Sequence, residues 1–339
     1  MRLERWLLDV WYGGNNKGGW LSPLGWLFRS ASGLRRWLYR AGWLSQHHPG
    51  VPLIVVGNIS SGGTGKTPLV IWLAKELQAA GLRVGLLSRG YRGTAKSWPQ
   101  QVTADSDPVL VGDEAVLLAR RSLALVVVDP DRVAGARELV KLGAEVIICD
   151  DGLQHYRLSR DLEFAVIDGA RGIGNGRFIP AGPLREAPSR LQTVDSVIVN
   201  NRTSESAWPG SLAMKVTATH FVSLNEKRQG ELAELAGKTV HAVAGIGNPS
   251  RFFDLLQGFN INIERHEFAD HAIFHEQDLQ FNDGLPVLMT EKDAVKCRTF
   301  SNEQLCYVPV EAQFSEADAN ELRGQMLRFT RLSGSVTND

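Results

Sequence analysis

Cysteine is scarce in this chain. Cys149, Cys297 and Cys306 are spread over 339 residues, with no CxxC spacing and no Cys/His cluster that would suggest zinc. An odd, low count excludes a disulfide-stapled scaffold and fits a reducing compartment, with each thiol expected to be buried and inert. Net charge is also lacking, since 37 basic residues balance 37 acidic ones. Composition therefore gives no reason to expect nucleic acid as a partner. In residues 1–47 the longest charge-free run covers residues 18–28, only 11 residues, where about 20 are needed to span a bilayer. The compact apolar core and small-residue cleavage site of a signal peptide are missing from the same region. So is the guanine-specifying pattern NKxD: in "TEKD" (290–293) Lys292 and Asp293 are adjacent, which points to ATP rather than GTP.

What is present is unevenly placed. Residues 1–47 hold seven basic side chains (Arg2, Arg5, Lys17, Arg29, Arg35, Arg36, Arg40) against Glu4 and Asp9, and six of the nine tryptophans: Trp6, Trp11, Trp20, Trp26, Trp37 and Trp43. Read as helices, residues 2–11 put Leu3, Trp6, Leu7 and Val10 on one face. Residues 24–40 do the same with Leu24, Leu27, Phe28, Ala31, Leu34 and Leu38, beside a basic stripe of Arg29, Arg36 and Arg40. Tryptophan favours the headgroup level of a bilayer and arginine pairs with anionic lipid, so the segment is expected to lie in a membrane surface. The alternative is a helical pair packed on the protein's own core.

From residue 51 short apolar runs alternate with helical patterns. "VPLIVVG", "LRVGLLS", "LALVVVD", "AEVIICDD", "LEFAVID" and "DSVIVN" read as strands, with helices at 66–80, within "GDEAVLLARR" and at 131–142. Uniformly apolar strands separated by helices imply an α/β fold whose parallel sheet is covered on both faces. Between the first strand and helix lies "SSGGTGKT" (60–67), which fits the phosphate-loop pattern GxxxxGK[ST] except at Ser60. Backbone amides around Gly62, Gly63 and Gly65 can converge on an anion, Lys66 can reach the β/γ-phosphates, and the Thr67 hydroxyl can hold Mg²⁺. A helix N-terminus adds to the anion site. Ser60, Ser61 and Thr64 complete the expected ATP loop. Asp150 and Asp151, at the end of "VIICDD", are strand-end carboxylates of the kind that hold a metal or water beside such a loop, although adjacent acids also flank ordinary turns.

Seven stretches together resemble one family: "GNISSGGTGKTP", "LSRGYRG", "GDEA", "DDGLQH", "FIPAGPLREAPSR", "FADH" and "MTEKDAVK". The ordered set is similar to the tetraacyldisaccharide 4'-kinases of lipid A biosynthesis in Gram-negative bacteria, and the likeness runs along almost the whole chain. Ser60 belongs to the family's version of the loop. The resemblance implies transfer of the γ-phosphoryl group of ATP, with Mg²⁺, to the 4'-hydroxyl of a tetraacylated glucosamine disaccharide 1-phosphate, giving lipid IVA. It also implies a peripheral or monotopic enzyme at the cytoplasmic face of the inner membrane. Asp113 of "GDEA" becomes the candidate base and His271 of "FADH" its partner; alone, Asp113 reads as a helix cap. The resemblance places Glu114 near the metal and Gln154 and His155 along the site. It offers Arg185 for the transferring phosphate or the substrate's 1-phosphate, against a plain ion pair with Glu186. Arg89, Tyr91 and Arg92 are further substrate-contact candidates. A membrane-surface ATPase and a non-catalytic nucleotide-binding scaffold are the rival readings.

In the second half, "NRTSESAWPG" (201–210) reads as a surface loop, 239–256 as strand, glycine turn and helix, 285–297 as strand then helix, and 316–330 as a closing helix. The expected organisation is a membrane-interface segment (1–47), a phosphate-loop lobe (48–205), a smaller α/β lobe (206–332) and a tail (333–339). The active site would lie between the lobes, with Asp113 and His271 meeting only when the two close.

Overall fold

The computed structural model describes residues 2–14, 16–202, 208–300, 302 and 304–334, with the backbone course alone for residues 2–5, 16, 17 and 331–334. The chain begins with α1 (Arg2–Tyr12) and α2 (Ser22–Arg40) and then enters a β/α alternation. This runs β1 (Leu53–Gly57), α3 (Lys66–Ala79), β2 (Val84–Ser88), β3 (Gln100–Val102), α4 (Pro108–Val111), α5 (Asp113–Ser122), β4 (Leu125–Val128), α6 (Arg132–Lys141), β5 (Val146–Asp150), β6 (Leu162–Asp168), β7 (Ser196–Asn200) and β8 (Leu212–Thr217). A second series follows: β9 (His220–Ser223), β10 (Gln229–Glu231), β11 (Thr239–Ala244), α7 (Pro249–Gly258), β12 (Asn262–Glu267), β13 (Val287–Thr290), α8 (Glu291–Ala294) and β14 (Leu305–Val308). The chain closes with β15 (Glu311–Phe314) and α9 (Glu316–Gly334).

The first sheet has nine strands in the order β15-β8-β7-β6-β1-β5-β2-β4-β3. The strands from β8 to β4 are parallel, and short antiparallel strands close both edges. The apolar runs lack hydrophobic alternation because both faces are covered. Along β1, Ile54 and Val56 pack with Leu69, Leu73 and Leu77 of α3, while Leu53 and Val55 pack with Val133, Ala136 and Leu139 of α6. Helix α3 stops at Ala79 and the chain turns at Gly81, whose φ of +88° a residue with a side chain rarely adopts.

The second sheet, β10-β9-β14-β13-β11-β12, is built between residues 220 and 308. Its core gathers Val240, Ala242 and Ala244 against Phe252, Phe253 and Leu256 of α7. The second lobe is therefore narrower than the expected 206–332. β8 and β15 belong to the first sheet, and Leu322 and Met326 of α9 join its core together with α3. These two strands are brief and their burial alternates, so no continuous apolar run marks them. Of the loop expected at 201–210, residues 203–207 lie outside the described residues; at its end the Ser211 N–H donates to Trp208 O across Pro209-Gly210 at 3.1 Å. Of the expected tail, residues 335–339 lie outside them too, and Ser333 and Gly334 continue α9. All three cysteines are buried free thiols.

The N-terminal helices rest on the first lobe by a narrow seam. Val10 is buried, the Trp11 indole donates to Pro180 O at 2.9 Å, and the Tyr12 hydroxyl donates to Ser61 O at 3.0 Å. Helix α2 touches down at Gly25, where a Cβ would stand 2.9 Å from Phe178 O. Beyond that seam its apolar side chains face outward: Trp26 and Leu27 are 68% exposed, and Leu24, Leu34 and Trp37 are exposed too, as are Trp20 and Trp43 on either side. The alternative of a pair packed on the core thus holds for α1 near Val10 and not for the apolar face of α2. Among the described residues no helix is long and apolar enough to cross a membrane.

Candidate active site

A cleft of about 1020 Å³ opens between the two lobes. On its floor are the carboxyl ends of the parallel strands, where an open α/β sheet binds its ligands: Asn58 follows β1, Ser88 ends β2, and Asp150 and Asp168 end β5 and β6. From the second lobe come Gly247, Arg251, His271 and Lys292. Arg251 crosses the cleft to pair with Asp168 at 3.1 Å.

The 60–67 loop forms one wall. Ser60 is buried and bridges Leu184 in an antiparallel sense, so its backbone has no need of the left-handed conformation that glycine supplies. The positions that need it are Gly62 (φ +110°) and Gly65 (φ +95°). At Gly65 a Cβ would also meet Asn200 Nδ2 at 2.2 Å, the atom that donates to Thr64 O at 2.9 Å and fixes the loop. Lys66 Nζ lies 3.2 Å from Asn58 Oδ1 and 3.5 Å from Asp151.

Two carboxylates with different environments follow. Asp150 is 3% exposed, and its Oδ1 has no hydrogen-bond partner among the described residues. Burial, then the charge of Glu114, push it up to about 7 against the pull of Lys66. Asp151 stands in left-handed backbone (φ +50°) and receives a two-pronged bond from Arg185 at 2.8 and 3.0 Å. Its partial desolvation works upward, but Lys66 and Arg185 outweigh it and hold Asp151 far below the ordinary carboxylate range. The ion pair between Arg185 and Glu186 considered from sequence is not made. Arg185 turns to Asp151 and Asn58, whereas Glu186 is buried under Gln154 (2.7 Å), the Tyr156 hydroxyl and Arg190 (3.4 Å).

The second wall joins the lobes. His271, also left-handed (φ +59°), presents Nδ1 to Asp113 at 2.9 and 3.1 Å. A carboxylate can only accept, so Nδ1 carries the proton and Nε2 keeps a lone pair, 3.3 Å from Lys292 Nζ. Burial works upward on Asp113, but the His271 bond and the Lys292 charge bring it below its usual value. Lys292 is raised in turn by Glu114, Asp113 and Asp270 against its burial, and donates to Glu114 at 2.9 Å. Position is set from behind: Asp293 takes the N–H of Gly245 at 2.8 Å, and Gly245 O takes the N–H of His271 at 3.2 Å. Asp113 also receives the N–H of Glu114 at 2.8 Å, but the N-cap of α5 is Gly112, so the plain helix-cap reading of Asp113 does not hold. In this structure the lobes already meet at this pair.

Lining the cleft are Ser61, Gly62, Gly63, Gly65, Lys66, Thr67, Arg89, Tyr91, Glu114, Asp150, Asp151, Arg185 and His271. Asp113 lies directly behind His271, and Ser60 and Thr64 are buried beneath the loop. Gln154, His155 and Glu186 stand away from the cleft. Gln154 braces Asn58 O at 3.0 Å, and His155 is pushed down to about 4 by burial, then by Arg132 and Arg160. Arg92 donates to Asp270 O at 2.9 Å and so supports the loop that bears His271. Lys292, Asn58, Asp168 and Arg251 escaped the sequence reading of the site. Lys292 sat in view inside "TEKD", but nothing in its spacing reveals a partner 178 residues away.

A family model described as tetraacyldisaccharide-1-P 4'-kinase matches residues 18–329. A curated tetraacyldisaccharide 4'-kinase of Nitrosococcus oceani is 47% identical over 306 residues, covering 90% of this chain and 89% of that protein. Another, from Alkalilimnicola ehrlichii, is 47% identical over 313 residues, covering 92% and 94%. Among solved structures, LpxK from Aquifex aeolicus in complex with ATP superposes with a TM-score of 0.76 at 28% identity, covering 92% of this chain and 99% of that one.

Proposed function

The chain belongs to the tetraacyldisaccharide-1-P 4'-kinase family, and from that premise we propose how its cleft works: it transfers the γ-phosphoryl group of ATP to the 4'-hydroxyl of a tetraacylated glucosamine disaccharide 1-phosphate, giving lipid IVA. The observation that carries the reading is the convergence of a glycine-rich GKT loop and a buried Asp–His pair on one cleft. Phosphoryl transfer asks chiefly for positioning and charge stabilisation. The amides of residues 61–65 and Lys66 hold the phosphates at the N-terminus of α3. Arg185, clamped by Asp151, stands where it can neutralise transferring oxygens or the lipid's 1-phosphate.

The attacking 4'-oxygen forms its bond to the γ-phosphorus as the bond to the ADP oxygen breaks. Its proton passes to the Asp113–His271 pair, which acts as a unit. His271 is the member that faces the cleft, and Asp113 fixes its tautomer and offsets the imidazolium charge. The residues suit Mg²⁺: an orphaned, buried carboxylate oxygen on Asp150 and the Thr67 hydroxyl offer the hard oxygen donors it prefers. When bound it would neutralise charge on the β/γ-oxygens. Asp151 and Glu114, held by Arg185 and Lys292, support this site from farther out.

The lipid's acyl chains stay in the bilayer, and the outward apolar face of α2 with its tryptophans would set the enzyme on the cytoplasmic face of the inner membrane. The deciding experiment is transfer of label from γ-³²P-ATP to the tetraacyl disaccharide 1-phosphate in detergent, by wild type and by Asp113→Ala. Lipid labelling should fall by roughly 10²–10⁴-fold in the variant, as for loss of the general-base function that the Asp113–His271 pair supplies as a unit, with ATP binding kept. Labelled free phosphate without labelled lipid from the wild type would mean an ATPase instead.

A further inference from the structure

Away from the cleft, on the opposite side of β12 from α7, lies a cluster that the kinase reaction does not use. His241 of β11 pairs in register with Glu264 of β12, and Val243 with His266. Paired positions in a parallel ladder point to the same face, and residues two apart on a strand do so as well. His241, Glu264 and His266 therefore share one face of the sheet. Their ligating atoms lie within 4.8 Å of one another. His241 Nδ1 is 2.9 Å from His266 Nε2 and 3.4 Å from Glu264 Oε2.

The tautomer of His241 is settled from outside the trio. Its Nε2 stands 2.9 Å from Asp283 Oδ2, and a carboxylate can only accept, so Nε2 carries the proton and Nδ1 offers a lone pair. A carboxylate holding the far nitrogen of an imidazole is the usual outer support of a metal-bound histidine. Phe281 stacks on His241 at 3.8 Å and leans on His266 at 4.2 Å, which fixes both rings. Nearby Arg265 faces the other side, over Phe253, and so brings no positive charge to this face. With neutral imidazoles the cluster carries the two negative charges of Glu264 and Asp283.

We propose that His241, His266 and Glu264 bind a divalent zinc-type ion, with Asp283 as the orienting carboxylate. Ligand bonds of about 2.0–2.1 Å in a tetrahedron put neighbouring donors about 3.3 Å apart, close to the 2.9 and 3.4 Å from His241 to its two neighbours. Two imidazoles and one carboxylate suit zinc and reject magnesium, which wants oxygen alone. Partial exposure of His266 and exposure of Glu264 leave a path for entry and a fourth position for water. The bound ion would pin β12, an edge strand that runs straight into the segment bearing His271, to its neighbour β11.

The test uses the full chain without an affinity tag, stripped of metal with a chelator and titrated with Co²⁺ as a visible probe. One equivalent should give the intense absorption of a four-coordinate ion, bleached by one equivalent of Zn²⁺. His266→Ala and Glu264→Gln, both partly exposed and so tolerant of change, should each weaken binding by at least about tenfold, and Asp283→Asn by about 10–100-fold. Far-ultraviolet circular dichroism checks that each variant is folded. A wild type without the four-coordinate band, or a folded His266→Ala variant with wild-type affinity, overturns the proposal and leaves a plain hydrogen bond from His266 Nε2 to His241 Nδ1.

Discussion

His155 illustrates how a single side chain can be expected in a site and yet act on stability. It sits among Arg132, Arg160 and Arg35, and its Nε2 is buried with no hydrogen-bond partner among the described residues. Burial first, then those arginines, push it down to about 4, whereas in the unfolded chain it titrates near 6.5. The folded protein thus holds the neutral ring while the unfolded chain takes up a proton. The contribution to stability is full above pH 6.5 and declines as pH falls toward about 4. Urea midpoints measured from pH 7.5 to 4 should drop for the wild type, and His155→Gln should remove part of that slope. Equal slopes in the two proteins would show that His155 titrates normally.

Helix α2 turns its apolar side chains to the outside, an exposure that no internal contact explains. Replacing Trp26 and Leu27 together by serine should change unfolding free energy by no more than about 0.5 kcal/mol, as for exposed positions. Flotation with anionic vesicles should weaken by tenfold or more, since each side chain loses about 1.5–3 kcal/mol of transferable apolar surface. Undiminished flotation would assign membrane contact to other residues. The helix was legible in the sequence because Leu24, Leu27 and Leu34 keep helical spacing. The strands β1, β2, β4, β5, β6 and β7 were legible because burial on both faces demands continuous apolar runs. β15 and β12 escaped notice because edge strands bury one face at most, and "NIERHE" reads as polar; β8, flanked by β15 and β7, escaped because its burial alternates. In the site, Gly62, Gly65 and Lys66 declare themselves by local spacing, whereas the partners of Asp113 and Glu114 arrive from 158 and 178 residues away. No local pattern encodes such contacts.

At the scale of the molecule, the two lobes are joined by ion pairs as well as by the Asp113–His271 contact. Arg121 of α5 holds Glu291 of α8 through two bonds of 2.7 and 2.8 Å, with both side chains mostly buried. Arg121→Leu would strand the Glu291 carboxylate, and breaking a pair of this kind costs about 3–5 kcal/mol when it is fully buried. A melting temperature lowered by several degrees, together with a reduced kcat, is the expected outcome; a lowered melting temperature with unchanged kcat would show that lobe contact and catalysis are independent. The N-terminal seam has a different consequence. Because the Tyr12 hydroxyl holds Ser61 O and the Trp11 indole holds Pro180 O, the first helix braces both the ATP loop and the segment leading to Arg185. A trimmed chain made for easier purification would therefore lose part of the scaffold of its own nucleotide pocket. Nucleotide affinities measured on such a chain would describe a loosened loop and not the intact pocket.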